Sequence, residues 1–341
     1  MVRRALAHGR LPHALLFRGP AGVGKRLFAR GLAATLNCRL STSGEAQTGG
    51  GESDGVRLTA CGHCSSCHKL KSGNHPDFLV IQPEKDAIKI GQVREMSRAI
   101  TYPPYESRYR VVLLEDVHAM QAAAANSLLK TLEEPPPGNI LILTAEASRQ
   151  VLPTILSRCQ TLPFLPLTED ETLTIVKRLL PDIEEDTARL LARFSDGSPG
   201  KALLLHEQDM LPLLLRLVAA LAEAVSPAAA VLTLLPLAQE ISERTLAEGK
   251  EMSRRKDHLP LFLELLRTAL AAPFFVDGEA IAPPESPPGH FSSQTIFARL
   301  RHIDAALEQL ARNCNRALIC EMLLFRLLVH PAAGAGANNF A

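Results

Sequence analysis

The sequence predicts an α/β domain built on a parallel sheet, followed by an all-helical remainder, and three observations predict it. Up to about residue 164, short apolar runs at 13–17, 78–81, 110–114 and 139–144 alternate with segments rich in Ala, Leu and charge. That alternation is the pattern of parallel strands with covering helices. A glycine-rich loop separates the first run from the first helical segment, and after residue 210 the chain reads as almost purely helical, rich in Leu and Ala.

Composition narrows the function classes. A chain of 341 residues allows two or three domains at roughly 100–200 residues each. Apolar content of 46% against 21% charged is a globular balance and argues against a mainly disordered protein. With 37 basic and 36 acidic residues, a dedicated nucleic-acid clamp is not expected. The most apolar stretch, 210–225, is broken by Arg216 and Glu223, and 228–238 is too short for about 30 Å of hydrocarbon. No apolar core precedes His8, so no signal peptide is read. Seven cysteines, three of them between 61 and 67, suit a metal site in a reducing cytoplasm better than a disulfide framework.

The first apolar run leads into Gly19-Pro20-Ala21-Gly22-Val23-Gly24-Lys25-Arg26 and then a helical stretch at 27–37. Strand, glycine-rich loop and helix in that order form a phosphate-binding loop, in which backbone N–H groups turn inward and the lysine reaches the outer phosphates. The next position departs from the motif, which wants Ser or Thr for Mg²⁺. Arg26 has no lone pair and adds a positive charge beside the cation site. Either it contacts phosphate in place of the metal, or the site has lost its chemistry; lost hydrolysis is the reading taken here. The third run ends in Glu115-Asp116. A Walker B strand carries Asp for Mg²⁺ and then Glu for water; here the order is reversed, and Asp116 is one methylene short of the usual base. Gly19, Gly22, Gly24, Lys25, Arg26, Glu115, Asp116 and Thr144 are therefore expected to line a degenerate nucleotide site.

Cys61-Gly62-His63-Cys64-Ser65-Ser66-Cys67 joins two CxxC steps, and Cys38 ends the preceding helical stretch. Four thiolates, Cys38, Cys61, Cys64 and Cys67, fit a closed tetrahedral Zn²⁺ site of structural type, with His63 and His68 as rival fourth ligands. The long loop between Cys38 and Cys61 is no obstacle, because closure entropy rises slowly with length. Cys159, Cys314 and Cys320 read as isolated thiols. Segments 41–56 and 332–341 are expected to be mobile or disordered. Four prolines rule out regular structure at 282–290. Arg158, in Ser157-Arg158-Cys159 on a short helix, reads by itself as a solvated residue or surface ion pair.

Asn126-Ser-Leu-Leu-Lys-Thr-Leu-Glu-Glu-Pro-Pro136, preceded by the alanines 122–125, resembles the signature of bacterial clamp-loader AAA+ subunits. Thr154-Ile-Leu-Ser-Arg-Cys159 and the cysteines between first helix and second strand resemble that family too. The resemblance spans essentially the whole chain and is weakest in the C-terminal third. It implies an AAA+ P-loop α/β domain at 1–163 with an inserted zinc module at about 38–72, a small helical lid at 164–208, an all-α collar at 209–331 and a disordered tail at 332–341. It also implies that Arg158 is an arginine finger acting in trans on a neighbour's ATP site.

Two kinds of subunit in the family share these features, the ATP-hydrolysing tau/gamma motor and delta-prime. The motor keeps Thr or Ser after the loop lysine, an Asp-Glu pair and a sensor-2 arginine, where this chain has Arg26, Glu115-Asp116 and Gly200. Gly73-Asn-His75-Pro76-Asp77 and Asn315-Arg316-Ala-Leu318 are similar to delta-prime patterns. The resemblance is thus to a non-hydrolysing stator that binds motor and delta subunits in a hetero-pentamer. Through that complex it would meet the sliding clamp and primer–template DNA in the cytoplasm. The implied cofactor is structural Zn²⁺, without tight ATP binding and without Mg²⁺, and a DNA polymerase activity would belong to the holoenzyme. Only about a dozen residues precede His13, so either the start is late or part of the adenine pocket is lost. Rival readings are a working ATPase of the motor kind and a cysteine knuckle that contacts nucleic acid; the knuckle's surroundings are weakly basic and lack a stacking aromatic.

Overall fold

The computed structural model describes residues 5, 11–42, 59–84, 87–223, 227–247, 256–271, 275–276, 279–280, 293–312 and 314–328. The expected mobile segment, apart from its first two residues, the proline-rich loop and the C-terminal tail lie outside the described residues. The chain divides into two compact units, Met1–Leu167 and Thr168–Ala341.

The first unit holds β1 (Ala14–Arg18), α1 (Lys25–Asn37), α2 (Arg39–Thr42), α3 (Ser65–Ser72), β2 (Phe78–Ile81), α4 (Ile90–Thr101), β3 (Arg110–Leu114), α5 (Ala122–Glu133), β4 (Asn139–Ala145), α6 (Pro153–Leu156) and β5 (Gln160–Pro163). The strands form one sheet in the order β2-β3-β4-β1-β5, with all four pairings parallel. This is the parallel sheet with covering helices that the sequence predicts. Alternation along each strand sends side chains to opposite faces. Leu15, Phe17, Val111, Leu113, Ile140 and Ile142 pack with Ala29, Leu32 and Leu36 of α1. On the other face Leu16, Val112, Leu114, Leu141 and Leu143 pack with Val93 and Met96 of α4 and Leu128 and Leu132 of α5. Burial on both faces explains why these strands read as continuous apolar runs. β5 has no such run and was not legible as a strand; its residues pair with Leu15 to Arg18 along the open edge of β1.

The second unit is helical: α7 (Glu169–Leu179), α8 (Glu185–Phe194), α9 (Pro199–Glu207), α10 (Met210–Glu223), α11 (Pro227–Arg244), α12 (Leu259–Ala271), α13 (Ser293–Ala311) and α14 (Arg316–Leu328), with two two-stranded pairs of two residues per strand. Thr168 and Glu171 close a capping box at the start of α7, which satisfies orphan amides of the first turn. One apolar cluster runs from Val176 through Phe194, Leu214, Phe262 and Ile303 to Leu327. Asn315 caps α14 by accepting from Leu318 N at 3.2 Å, and Arg316 donates to the Thr245 hydroxyl. Among the described residues no helix is long and apolar enough to cross a membrane.

Candidate functional site

Three groups of side chains in the first unit bear on function. The first lies at the C-terminal ends of β1, β3 and β4, where open α/β sheets bind ligands. A cleft of about 430 Å³ there is lined by Gly22, Gly24, Lys25, Arg26, Glu115, Asp116 and Thr144, and also by Arg30 and Glu146. Gly24 precedes α1 with φ of 96°, a left-handed conformation that costs glycine little, and no side chain caps the helix start. Its first amides are therefore left for an anion. Gly19 sits behind the loop: a Cβ there would come within 2.2 Å of the Phe164 carbonyl oxygen, so the loop and the end of β5 meet backbone to backbone.

The cleft satisfies its own charges. Lys25 is buried, and its Nζ donates to the carbonyls of Gly19 at 2.8 Å and Pro20 at 2.6 Å. Burial lowers its pKa, against the opposing pull of Glu146 and Asp116. Arg26 Nε lies 3.0 Å from Glu115 Oε1. That oxygen accepts no directed hydrogen bond, so the contact is an ion pair without hydrogen-bond alignment. Burial raises the Glu115 pKa and the Arg26 charge pulls it back. Asp116 has a left-handed φ of 52°, and its N–H donates to the Thr144 hydroxyl at 3.1 Å. Arg26 and Glu115 thus neutralise one another within the cleft, beyond the C-terminal end of β3. Arg30 and Glu146 were not singled out from sequence; Arg30 stands one turn beyond Arg26, and Glu146 directly follows β4.

The second group is the cysteines. The Sγ atoms of Cys38, Cys61, Cys64 and Cys67 all lie within 4.8 Å of one another, with Cys61 and Cys67 sulfurs 3.9 Å apart. Tetrahedral Zn–S bonds of about 2.3 Å would set S···S near about 3.8 Å, so a small contraction fits the ion. Backbone amides already point at the sulfurs: Cys61 N at Cys38 Sγ and Cys64 N at Cys61 Sγ, each at 3.3 Å. Burial opposes thiolate formation at both Cys64 and Cys67. Amides from Cys67 and Arg39 nevertheless hold Cys64 down at about 6, while burial pushes Cys67 up to about 12. Four thiolates this close need a cation between them, and the donor set fits Zn²⁺. His63 instead points Nδ1 at the Cys61 carbonyl at 2.8 Å, and neither His63 nor His68 joins the sulfur group.

A buried brace ties this module to the sheet. His75 Nδ1 accepts from Asp77 N at 3.1 Å, which leaves the Nε2 proton for Ser66 Oγ at 3.1 Å and Ser107 Oγ at 3.3 Å. Asp77 is fully buried; its Oδ1 accepts from Tyr105 N, and its Oδ2 from Glu106 N and Ser107 N. The sequence contained the motif, but its role is visible only from burial.

Arg158 forms the third group. It precedes β5, whose first residue Gln160 pairs with Leu15 at the start of β1, so it stands at the N-terminal ends of the strands, whereas the cleft lies at their C-terminal ends. Its Nε donates to Glu133 Oε1 at 2.7 Å, Nη2 contacts the same oxygen, and Nη1 donates to Thr154 O and Ser157 Oγ at 3.1 Å each. Glu133 was not foreseen. Gly200 lies in the first turn of α9, in the second unit.

With this geometry established, residues 1–168 match the family described as DNA polymerase III, delta subunit. Those residues, just under half of the chain, are similar to that family. It is 37% identical over 202 residues to DNA polymerase III subunit delta′ of Pseudomonas aeruginosa, covering 58% of this chain and 57% of that one. To subunit tau of Escherichia coli it is 34% identical over 212 residues, covering 61% and 30% respectively. The chain therefore spans little more than half of the delta′ relative and less than a third of the tau relative. A DNA polymerase III gamma subunit-related protein of Thermotoga maritima shares 18% identity at a TM-score of 0.47, covering 95% of this chain and 98% of that one. The delta-prime resemblance read from the sequence agrees with the family and with the delta′ relative.

Proposed function

We propose that this chain is the delta-prime subunit of a DNA polymerase III clamp loader, a binding subunit that hydrolyses no ATP and supplies Arg158 to a neighbouring motor subunit. Its partners are tau/gamma motor and delta subunits in a hetero-pentamer, which carries it to the sliding clamp and primer–template DNA in the cytoplasm. Helices at 164–208 act as a lid and those at 209–331 as the collar that joins neighbours. Cys38, Cys61, Cys64 and Cys67 hold one Zn²⁺ with no open position, a structural site that would fasten the end of α1 to the start of α3.

One observation carries the reading: the phosphate cleft and Arg158 stand at opposite ends of the strands of one parallel sheet. The five residues of β1 put about 17 Å between those ends. Arg158 is thus remote from its own cleft and suited to a γ-phosphate held by an adjacent copy of the fold, where an arginine finger is worth about 10³–10⁵ in rate. The Arg26–Glu115 pair supports the absence of hydrolysis, since it stands where a Mg²⁺ would be needed.

Reconstituting the loader with Arg158→Ala tests this. The variant should assemble normally by gel filtration, while ATP hydrolysis at the facing motor site and clamp loading both fall. Normal rates in a normally assembled complex would return Arg158 to a surface ion pair. The 34% identity to tau favours a second reading, an ATP-hydrolysing motor subunit. Steady hydrolysis by this chain alone, abolished by Lys25→Ala, would establish it; the expected outcome is no turnover.

A further inference from the structure

We infer that Glu133 is a positioning residue that parks Arg158 on its own subunit and so limits how often the arginine is available to a neighbouring phosphate. This rests on the trans role proposed for Arg158.

The hydrogen bonds around the guanidinium carry the inference. A guanidinium offers five N–H donors. Nε and Nη2 point at Glu133 Oε1, and the two Nη1 protons go to Thr154 O and Ser157 Oγ, so four of the five donors are engaged within the chain. The Nε–Nη2 edge is the fork that recognises carboxylate and phosphate alike. Glu133 therefore occupies the same face a γ-phosphate oxygen would need, and the two anions compete for it.

The position of Glu133 points the same way. It is the last residue of α5 and is followed by Glu134. The C-terminal end of a helix disfavours negative charge, so Glu133 gains nothing from its own helix and finds its cation 25 residues away in sequence. The pair is also exchangeable: the side chains are 33% and 49% exposed, and water and salt weaken such a contact enough for a phosphate to displace it.

The test uses the reconstituted loader with this chain as wild type, Glu133→Gln, Arg158→Ala and the double variant. ATP hydrolysis is read without DNA and clamp, and again with both. Glu133→Gln keeps the size and hydrogen-bonding shape of the exposed side chain but removes the charge. It should raise the unstimulated rate about two- to five-fold, the range set by exposed ion pairs, and leave the stimulated rate nearly unchanged, so the stimulation ratio falls. On the Arg158→Ala background the same substitution should do nothing, a coupling that a merely structural Glu133 would not produce. An unchanged ratio, a lowered unstimulated rate, or an equal effect on the Arg158→Ala background would each overturn the inference, even if Arg158→Ala by itself abolishes stimulation. Wild-type rates in the Arg158→Ala complex would instead remove the finger reading, and this inference with it.

Discussion

Asp77 offers the sharpest test of how the first unit is held together. Its carboxylate has no solvent exposure and accepts three backbone amides, Tyr105 N at 2.6 Å, Glu106 N at 2.9 Å and Ser107 N at 3.0 Å. Arg110 Nη2 lies 3.4 Å from Oδ1. Three other Arg110 protons bind the carbonyls of Ala99, Tyr102 and Pro103. The two side chains thus clamp one stretch of backbone, the acid by its amides and the base by its carbonyls. Asp77→Asn keeps one acceptor oxygen but turns an NH₂ group toward an amide donor. Hydrogen bonds to a charged group are worth about 1.5–3 kcal/mol each, and losing one of them here should cost about 2–3 kcal/mol. Asp77→Ala strands three amides and a buried cation, and should cost about 3–5 kcal/mol, a large share of a domain's roughly 5–15 kcal/mol. Denaturant unfolding of the full chain reads the global effect. Because the chain has two units and its unfolding need not be a single step, hydrogen exchange at the amides of Tyr105, Glu106 and Ser107 reads the local one. If Asp77→Asn leaves both the unfolding midpoint and these three amides unaltered, the brace does not hold the loop.

Three further outcomes are expected. Cys38→Ser should lose bound zinc in a metal assay and loosen residues 59–72 with the sheet intact, whereas full retention would move the fourth ligand to His63 or His68. Arg26→Thr should make whatever nucleotide affinity exists dependent on Mg²⁺ in a binding titration, without turnover, because Asp116 still stands in the base position; substantial hydrolysis would show that position misread. Burial holds the His75 pKa below its ordinary 6.5, only partly offset by Glu106 and Asp77. The unfolded chain therefore takes up the proton first as pH falls, so stability is full above about 6.5 and declines below it until the native pKa is passed. His75→Gln should flatten that decline in unfolding curves measured from pH 7 to 5, and an unchanged slope would remove His75 as its source.

Much of this protein was legible in its sequence because the signals are local. The runs at 78–81 and 110–114 are strands with those same bounds; β3 is buried along its whole length, and β2 is a short apolar run at the edge beside it. The loop from Gly19 to Arg26 shows its chemistry through covalent neighbours: a glycine can take the left-handed turn, and Lys25 and Arg26 follow it. The CxxC steps bring sulfurs together whatever surrounds them. Pairings between distant segments were not legible. Gln160 to Pro163 has no apolar run and becomes a strand only because β1 offers it an open edge. Asp77 is one acid among many until burial and three amides single it out. Glu115 meets Arg26, and Glu133 meets Arg158, only once β3 and α5 have been packed against their neighbours. The strand end at which Arg158 stands follows from the parallel pairing of β5 with β1, Gln160 opposite Leu15, in the sheet order β2-β3-β4-β1-β5. Periodicity specifies which residues are buried; it carries no record of which strand lies beside which. That order comes from packing the helices on both faces of the sheet, and the parallel direction of β5 beside β1 puts Arg158 at the strand end away from its own cleft.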